Sequence, residues 1–321
     1  MTSSEFRKEA RNHLTGKWGK VALIVLVYML IFFVFGVIEG FFKDNIIETV
    51  FSIIRLVIQV PLSFGLIITL LKIYKNEEVG TFDSISSGFS NFKRAWGVFG
   101  HILLKMIVPI ILMVIVVITS IIFIASAIMQ ASDALPENSN LSTQLTYQSE
   151  NLASDALLNP DSIESLDVFQ NMDNESLEIF SQIVLQLGLK FIILFIAFIA
   201  IDVWILCKSL YYSLAYIIAA EEPELATKEA VEKSKELMTN RRGKLFLLEL
   251  SFIGWYILLA LVAALLGFIP VLSSIAMIVG MIFLLPYMQF AVIAFYNYVS
   301  GNKSEVVEAK VEETNNNPIQ E

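Results

Sequence analysis

From end to end the chain alternates between polar segments and apolar runs long enough to cross a lipid bilayer, and this alternation leaves few folds open. A helix rises 1.5 Å per residue, so about 20 apolar residues cross the roughly 30 Å hydrocarbon core, where backbone polar groups must be satisfied internally. Six runs meet that requirement, at about 21–38, 50–71, 102–129, 191–212, 245–268 and 273–299. Composition agrees: the chain is 56% hydrophobic and 17% charged, against about 45–50% and 25% in soluble domains. The predicted class is all-α, a polytopic membrane helical bundle of six transmembrane helices with cytoplasmic amphipathic helices. Pro61 and Pro109 fall inside the second and third spans. A proline there removes one backbone bond, and a neighbouring group must satisfy the freed carbonyl.

Charge sets the threading. Five Lys or Arg precede span one, one (Lys43) follows it, and five lie between spans two and three. The loop 130–185 has none, the link between spans four and five has six, and the turn at Pro270 has none. Under the positive-inside rule this predicts cytoplasmic N- and C-termini and an outer acidic loop. The loop holds ten acids between residues 130 and 182 and reads as disordered in its first half, as does the tail 300–321. The basic residues before span one also fit a secretory signal, but no A-x-A-like cleavage site follows, so a retained helix is expected. The single cysteine, Cys207, excludes an internal disulfide.

Each inner link carries an amphipathic segment. Residues 1–20 form the first, with Thr2 and Glu5 in capping-box spacing and Phe6, Ala10 and Leu14 on one stripe. It suits the headgroup region of an anionic membrane or, alternatively, a solvated turn. In the second, Phe82, Ile85, Phe89, Phe92 and Trp96 form a stripe backed by serines. That stripe fits the bilayer interface or packing against the chain's own helices. The third runs through Thr227–Met238 to the basic knot Arg241-Arg242-Gly243-Lys244 and turns apolar at Leu245. Its EAVEKSKEL portion is expected on the inner membrane surface.

These segments share a pattern. Lys8-Glu9-Ala10 with Gly19-Lys20-Val21 aligns with Lys228-Glu229-Ala230 and Gly243-Lys244-Leu245 at offsets of 220 and 224, implying a four-residue insertion. Lys93-Arg94-Ala95-Trp96-Gly97 is a degenerate middle copy, and spans two and six share Pro61, Phe64, Tyr74 and Pro286, Phe290, Tyr298. Two readings stand: three repeated hairpins, or boundaries that look alike because insertion makes each of them basic.

Three stretches, SSEFRKEARNHLTGKWGK, KEAVEKSKELM and GKLFLLELSFIGW, resemble an uncharacterised Gram-positive integral membrane family, domain of unknown function (DUF) 975. The likeness spans most of 3–300 and implies a six-span protein of the bacterial plasma membrane, without an activity. The last two stretches also resemble the membrane portion of some glycerophosphodiester phosphodiesterases, but no soluble catalytic domain accompanies them here.

No catalytic, cofactor-binding or metal-binding set is legible. The two histidines, His13 and His101, lie far apart without Cys or carboxylates at ligand spacing, and no P-loop or nucleophile elbow occurs. The candidate intramembrane polar residues are Asp202, Arg55, Lys208 and Glu249. A charge in hydrocarbon marks a pathway or an internal pair. Asp202 is therefore expected in a polar pathway, or paired with Arg55 or Lys208, while Glu249 and Lys208 can snorkel. The leading expectation is a non-enzymatic accessory or scaffold protein. The alternative is a transporter or exporter of a small or lipophilic substrate through Asp202. Expected partners are the lipid bilayer, anionic lipid at the inner leaflet and other membrane proteins, not nucleic acid.

Overall fold

The structure, a computed structural model, describes residues 1–42, 46–133 and 174–301. Lys43, most of the acidic loop and the tail beyond 301 lie outside the described residues, and with them the expectations of disorder. Eleven helices occur among the described residues: α1 (Ser3–Leu14), α2 (Trp18–Phe41), α3 (Ile46–Tyr74), α4 (Asp83–Ser90), α5 (Phe92–Asp133), α6 (Asn174–Tyr212), α7 (Ala215–Glu221), α8 (Thr227–Met238), α9 (Arg242–Leu250), α10 (Ile253–Leu265) and α11 (Pro270–Ser300). There is no strand among them, and six stretches are long and apolar enough to cross a membrane. The protein is an all-α membrane protein. The predicted fifth span differs in detail. It breaks at Ser251–Phe252, where Ser251 Oγ bonds back to the Leu248 carbonyl and Phe252 is buried against Tyr287.

The chain divides into two compact units, Met1–Met106 with Leu206–Glu321, and Ile107–Ile205. The second consists, among the described residues, of the far parts of α5 and α6. Its surface is apolar, with Ile121, Ile122, Ile193 and Ile196 exposed. Thr119 and Ser120 return their hydroxyls to carbonyls of their own helix, so neither hydroxyl is left for the hydrocarbon.

The first unit has its core at one end. There α1, α7, α8 and the C-terminal halves of α3 and α11 bury Phe6, Leu14, Phe64, Leu70, Leu214, Ile218, Phe290 and Phe295. The other halves of α3 and α11 expose Ile46, Ile53, Val271 and Ile275, and the later part of α2 exposes Leu30 and Phe33. Lipid tails are as apolar as leucine, so nothing drives those faces together. The aqueous end is where apolar stripes must be buried, each Phe or Leu contributing about 1.5–3 kcal/mol.

This changes the reading of the amphipathic helices. The capping box of α1 forms as predicted, Thr2 N–H to Glu5 Oε2 at 2.8 Å and Glu5 N–H to Thr2 Oγ1. Its stripe Phe6, Ala10 and Leu14, however, is buried against α11 and α9, not left for the headgroups. The stripe of α8 (Ala230, Val231, Ser234, Met238) is likewise buried, with α7 as the main neighbour. Both helices turn their apolar sides to the protein, so the surface-resting expectation fails for them. Helix α4 does the reverse. Gly88 and Ser84 face α3 at Pro61 and Gly65, and a Cβ on Gly65 would lie 1.9 Å from the Ser84 carbonyl oxygen. Two backbones touch, and Phe82 and Phe89 are left 65% and 46% exposed.

The packing runs in a cycle: α4 lies on α3, α8 on α7, and α1 on α11. In each case a short helix that enters a span packs on the preceding returning helix. Helices α1 and α8 also match in backbone. Both have 12 residues, followed by Thr15 (φ −58, ψ 129) or Thr239 (φ −59, ψ 126) and then a left-handed Gly16 or Asn240. One offset of 224 (227 minus 3) carries Phe6, Ala10 and Leu14 onto the buried Ala230, Ser234 and Met238. No four-residue insertion is needed. The KEA match at 220 was a slip of one helical turn, since Lys228 opens its helix and Lys8 is mid-helix.

Candidate functional site

The basic end of the first unit carries the densest chemistry, and it is built from helix termini. The last carbonyls of a helix lack intrahelical partners and carry partial negative charge, so cations are favoured there. Helix α3 ends in a Schellman arrangement around Asn76 (φ 65), with Asn76 N–H to the Ile73 carbonyl and Glu77 N–H to that of Lys72. Lys17, between α1 and α2, donates to the same Ile73 carbonyl at 2.9 Å and to Asn76 Oδ1. Burial pushes its ammonium below the usual lysine range. His13 Nδ1, 3.1 Å from the Tyr74 carbonyl, must carry the proton there, because a carbonyl only accepts. Its ring stacks on Tyr74 at 3.9 Å.

The same device recurs twice. Arg94, after α4, donates through Nε to the Ala219 carbonyl at 2.8 Å and through Nη2 to that of Glu222 at 2.6 Å, closing the end of α7. Arg241, after α8, donates to the Val299 carbonyl at 2.8 Å near the end of α11. In all three places the basic residue that follows a short helix caps the helix returning from the span it introduces. Arg242 lies over the Tyr211 ring at 4.0 Å, and Lys244 reaches Tyr298 Oη at 3.2 Å. The charges of the 241–244 knot are therefore structural contacts as well as insertion signals.

Two more donors answer the prolines. Pro61 frees the Val57 carbonyl four residues back, and Trp96 Nε1 donates to it at 3.2 Å. Pro109 frees the Lys105 carbonyl, and Lys208 Nζ donates to that at 3.2 Å. The signal was present in the sequence as the proline positions, but only the fold names the donors.

Each of the four intramembrane candidates has its own surroundings. Arg55 forms its salt bridge with Glu39, 3.2 Å apart, which corrects the expected pair with Asp202. The α2–α3 hairpin puts Glu39 and Arg55 on facing turns. Asp202 is exposed and makes no salt bridge among the described residues. Lys208 serves the Lys105 carbonyl. Glu249 is half-buried on α9.

A cavity of about 330 Å³ opens beside this end, among α1, α2, α10 and α11. Its walls are Leu258, Leu259, Phe283 and Leu284, with Gly280 at its far end along α11. Trp18 and Trp255 stand at its sides, and Arg11 donates to Tyr287 Oη at 3.0 Å where it meets the basic end. Asp202 is not among its lining residues.

Residues 1–303 match the model of the family described as protein of unknown function, DUF975. The chain belongs to that family. This DUF975 protein has no match among curated proteins or solved structures, and the likeness to glycerophosphodiester phosphodiesterases gains no support from them.

Proposed function

We propose that this DUF975 protein is a non-enzymatic accessory or scaffold protein of the bacterial plasma membrane, with both termini in the cytoplasm and residues 130–185 outside. The observation that carries it is the apolar surface held in place by rigid backbone packing. Gly65 and Gly88 lock α4 so that Phe82 and Phe89 face away from the protein. Exposed aromatic faces of this kind mark interaction or membrane surfaces. The orientation rests on the distribution of Lys and Arg, which gather at the end where α1, α4 and α8 pack. The cyclic packing and the three repeated caps support a chain made of three copies of one hairpin unit.

The cavity among α1, α2, α10 and α11 lends no support to the alternative, a transporter or exporter working through Asp202, since its lining is apolar apart from Arg11 and does not include Asp202. A photo-reactive residue at Phe89 tests the scaffold. Crosslinking in native membranes should give a discrete protein adduct that is lost in the Phe82→Ser variant. Adducts with lipid alone would refute a protein-binding role.

A further inference from the structure

We propose that the cavity beside Arg11 holds one acyl chain of an anionic glycerophospholipid, with Arg11 holding its phosphate. The inference rests on membrane embedding and not on the scaffold role.

The cavity has the polarity of such a lipid. Along α11 it runs from Gly280 to Tyr287, about 10 Å at 1.5 Å per residue. Apolar side chains line the far part, and its 330 Å³ falls within the roughly 300–1,000 Å³ of ligand clefts. Trp18 and Trp255 are the residue type enriched at the membrane–water boundary, and each lies at the basic-end start of its helix. At that level Arg11 is the only charged lining residue among the described residues, and none of these is acidic.

Arg11 is placed for an anion. It stands on α1, which is anchored by its buried stripe and, one turn earlier, by the bond from Arg7 Nη1 to the Ser251 carbonyl at the break just before α10. Arg11 uses one Nη1 contact, to Tyr287 Oη, which leaves further donors in a fork suited to phosphate. The depth of the cavity is also set by the fold. A Cβ at Gly280 would come within 2.1 Å of the Leu259 Cδ2 methyl, so with glycine there the Leu259 side chain can lie against α11 at the far end.

The test uses the purified full chain in detergent micelles, with phosphatidylglycerol and phosphatidylcholine of identical acyl chains in equal amount. Native mass spectrometry reads the lipid retained. Wild type should retain one phosphatidylglycerol in about tenfold preference, the order expected of a charge-assisted contact. Arg11→Gln should bring the two lipids near parity, and Leu258→Trp, which fills the cavity, should lower retention of both. Equal retention by wild type overturns the proposal. So does an undiminished preference in Arg11→Gln with its thermal melt unchanged, and this variant decides the matter should Leu258→Trp fail to fold. No partner protein is present, so the outcome is independent of the scaffold reading.

Discussion

The bond from Trp96 to the Val57 carbonyl exists because Pro61 has no N–H, and this makes it testable by a double-mutant cycle. Trp96→Phe keeps the ring that meets Phe99 at 5.3 Å and removes only the donor at 3.2 Å from the carbonyl. In a span, water cannot take over, so the loss is that of a carbonyl left unsatisfied, about 1–3 kcal/mol. In a Pro61→Ala background the alanine N–H can bond the Val57 carbonyl in the ordinary helical manner. There Trp96→Phe should cost under about 0.5 kcal/mol, giving a coupling of at least about 0.5 kcal/mol, within the range of residues sharing a partner. Whatever Pro61→Ala does to the helix bend cancels in the cycle. The assay is reversible unfolding in mixed micelles followed by far-ultraviolet circular dichroism, on four proteins. Equal costs of Trp96→Phe in both backgrounds would refute the reasoning.

Three further outcomes follow from the same geometry. Gly65→Ala forces a methyl to within 1.9 Å of the Ser84 carbonyl oxygen, so α4 must shift, and a loss of about 1–3 kcal/mol is expected in the same unfolding assay. Arg55→Met strands the Glu39 carboxylate, whose side chain is only 14% exposed. It should destabilise by less than the roughly 3–5 kcal/mol of a fully buried pair, and Glu39→Gln in the same chain should recover most of the loss; no recovery would show the pair is idle. In a Cys207→Ser background, an impermeant maleimide should label Glu150→Cys on intact cells and Thr239→Cys only after permeabilisation, and the reverse pattern would invert the topology.

The residues differ in how far their roles could be read in advance. The capping box at Thr2 and Glu5 was legible because it lies within four residues. The six spans were legible because hydrocarbon admits only continuous apolar helices. The stripe Phe6, Ala10, Leu14 was legible as a stripe, but not its burial on α11, whose contacts lie more than 270 residues away. In α4 the most conspicuous residues, the phenylalanines, misdirect: the packing face is Ser84 and Gly88, chosen by backbone proximity and not by apolar area. The insertion inferred between copies came from matching letters; the helix caps and buried positions give one offset of 224. Asp202 stood out as a charge in an apolar run, yet the salt bridge went to Arg55 and Glu39, neighbours through a short hairpin.

Sequence by itself determined the class, the six apolar stretches and, at Pro61 and Pro109, two places where a carbonyl would be orphaned, since these depend on local composition and covalent structure alone. Only the tertiary structure decided which donor answers each carbonyl: Lys17 at Ile73, Arg94 at Ala219 and Glu222, Arg241 at Val299, Trp96 at Val57 and Lys208 at Lys105. The insertion machinery reads a basic residue as a charge on one side of a membrane. The fold also uses its direction and reach, and those exist only once the helix ends have been brought together.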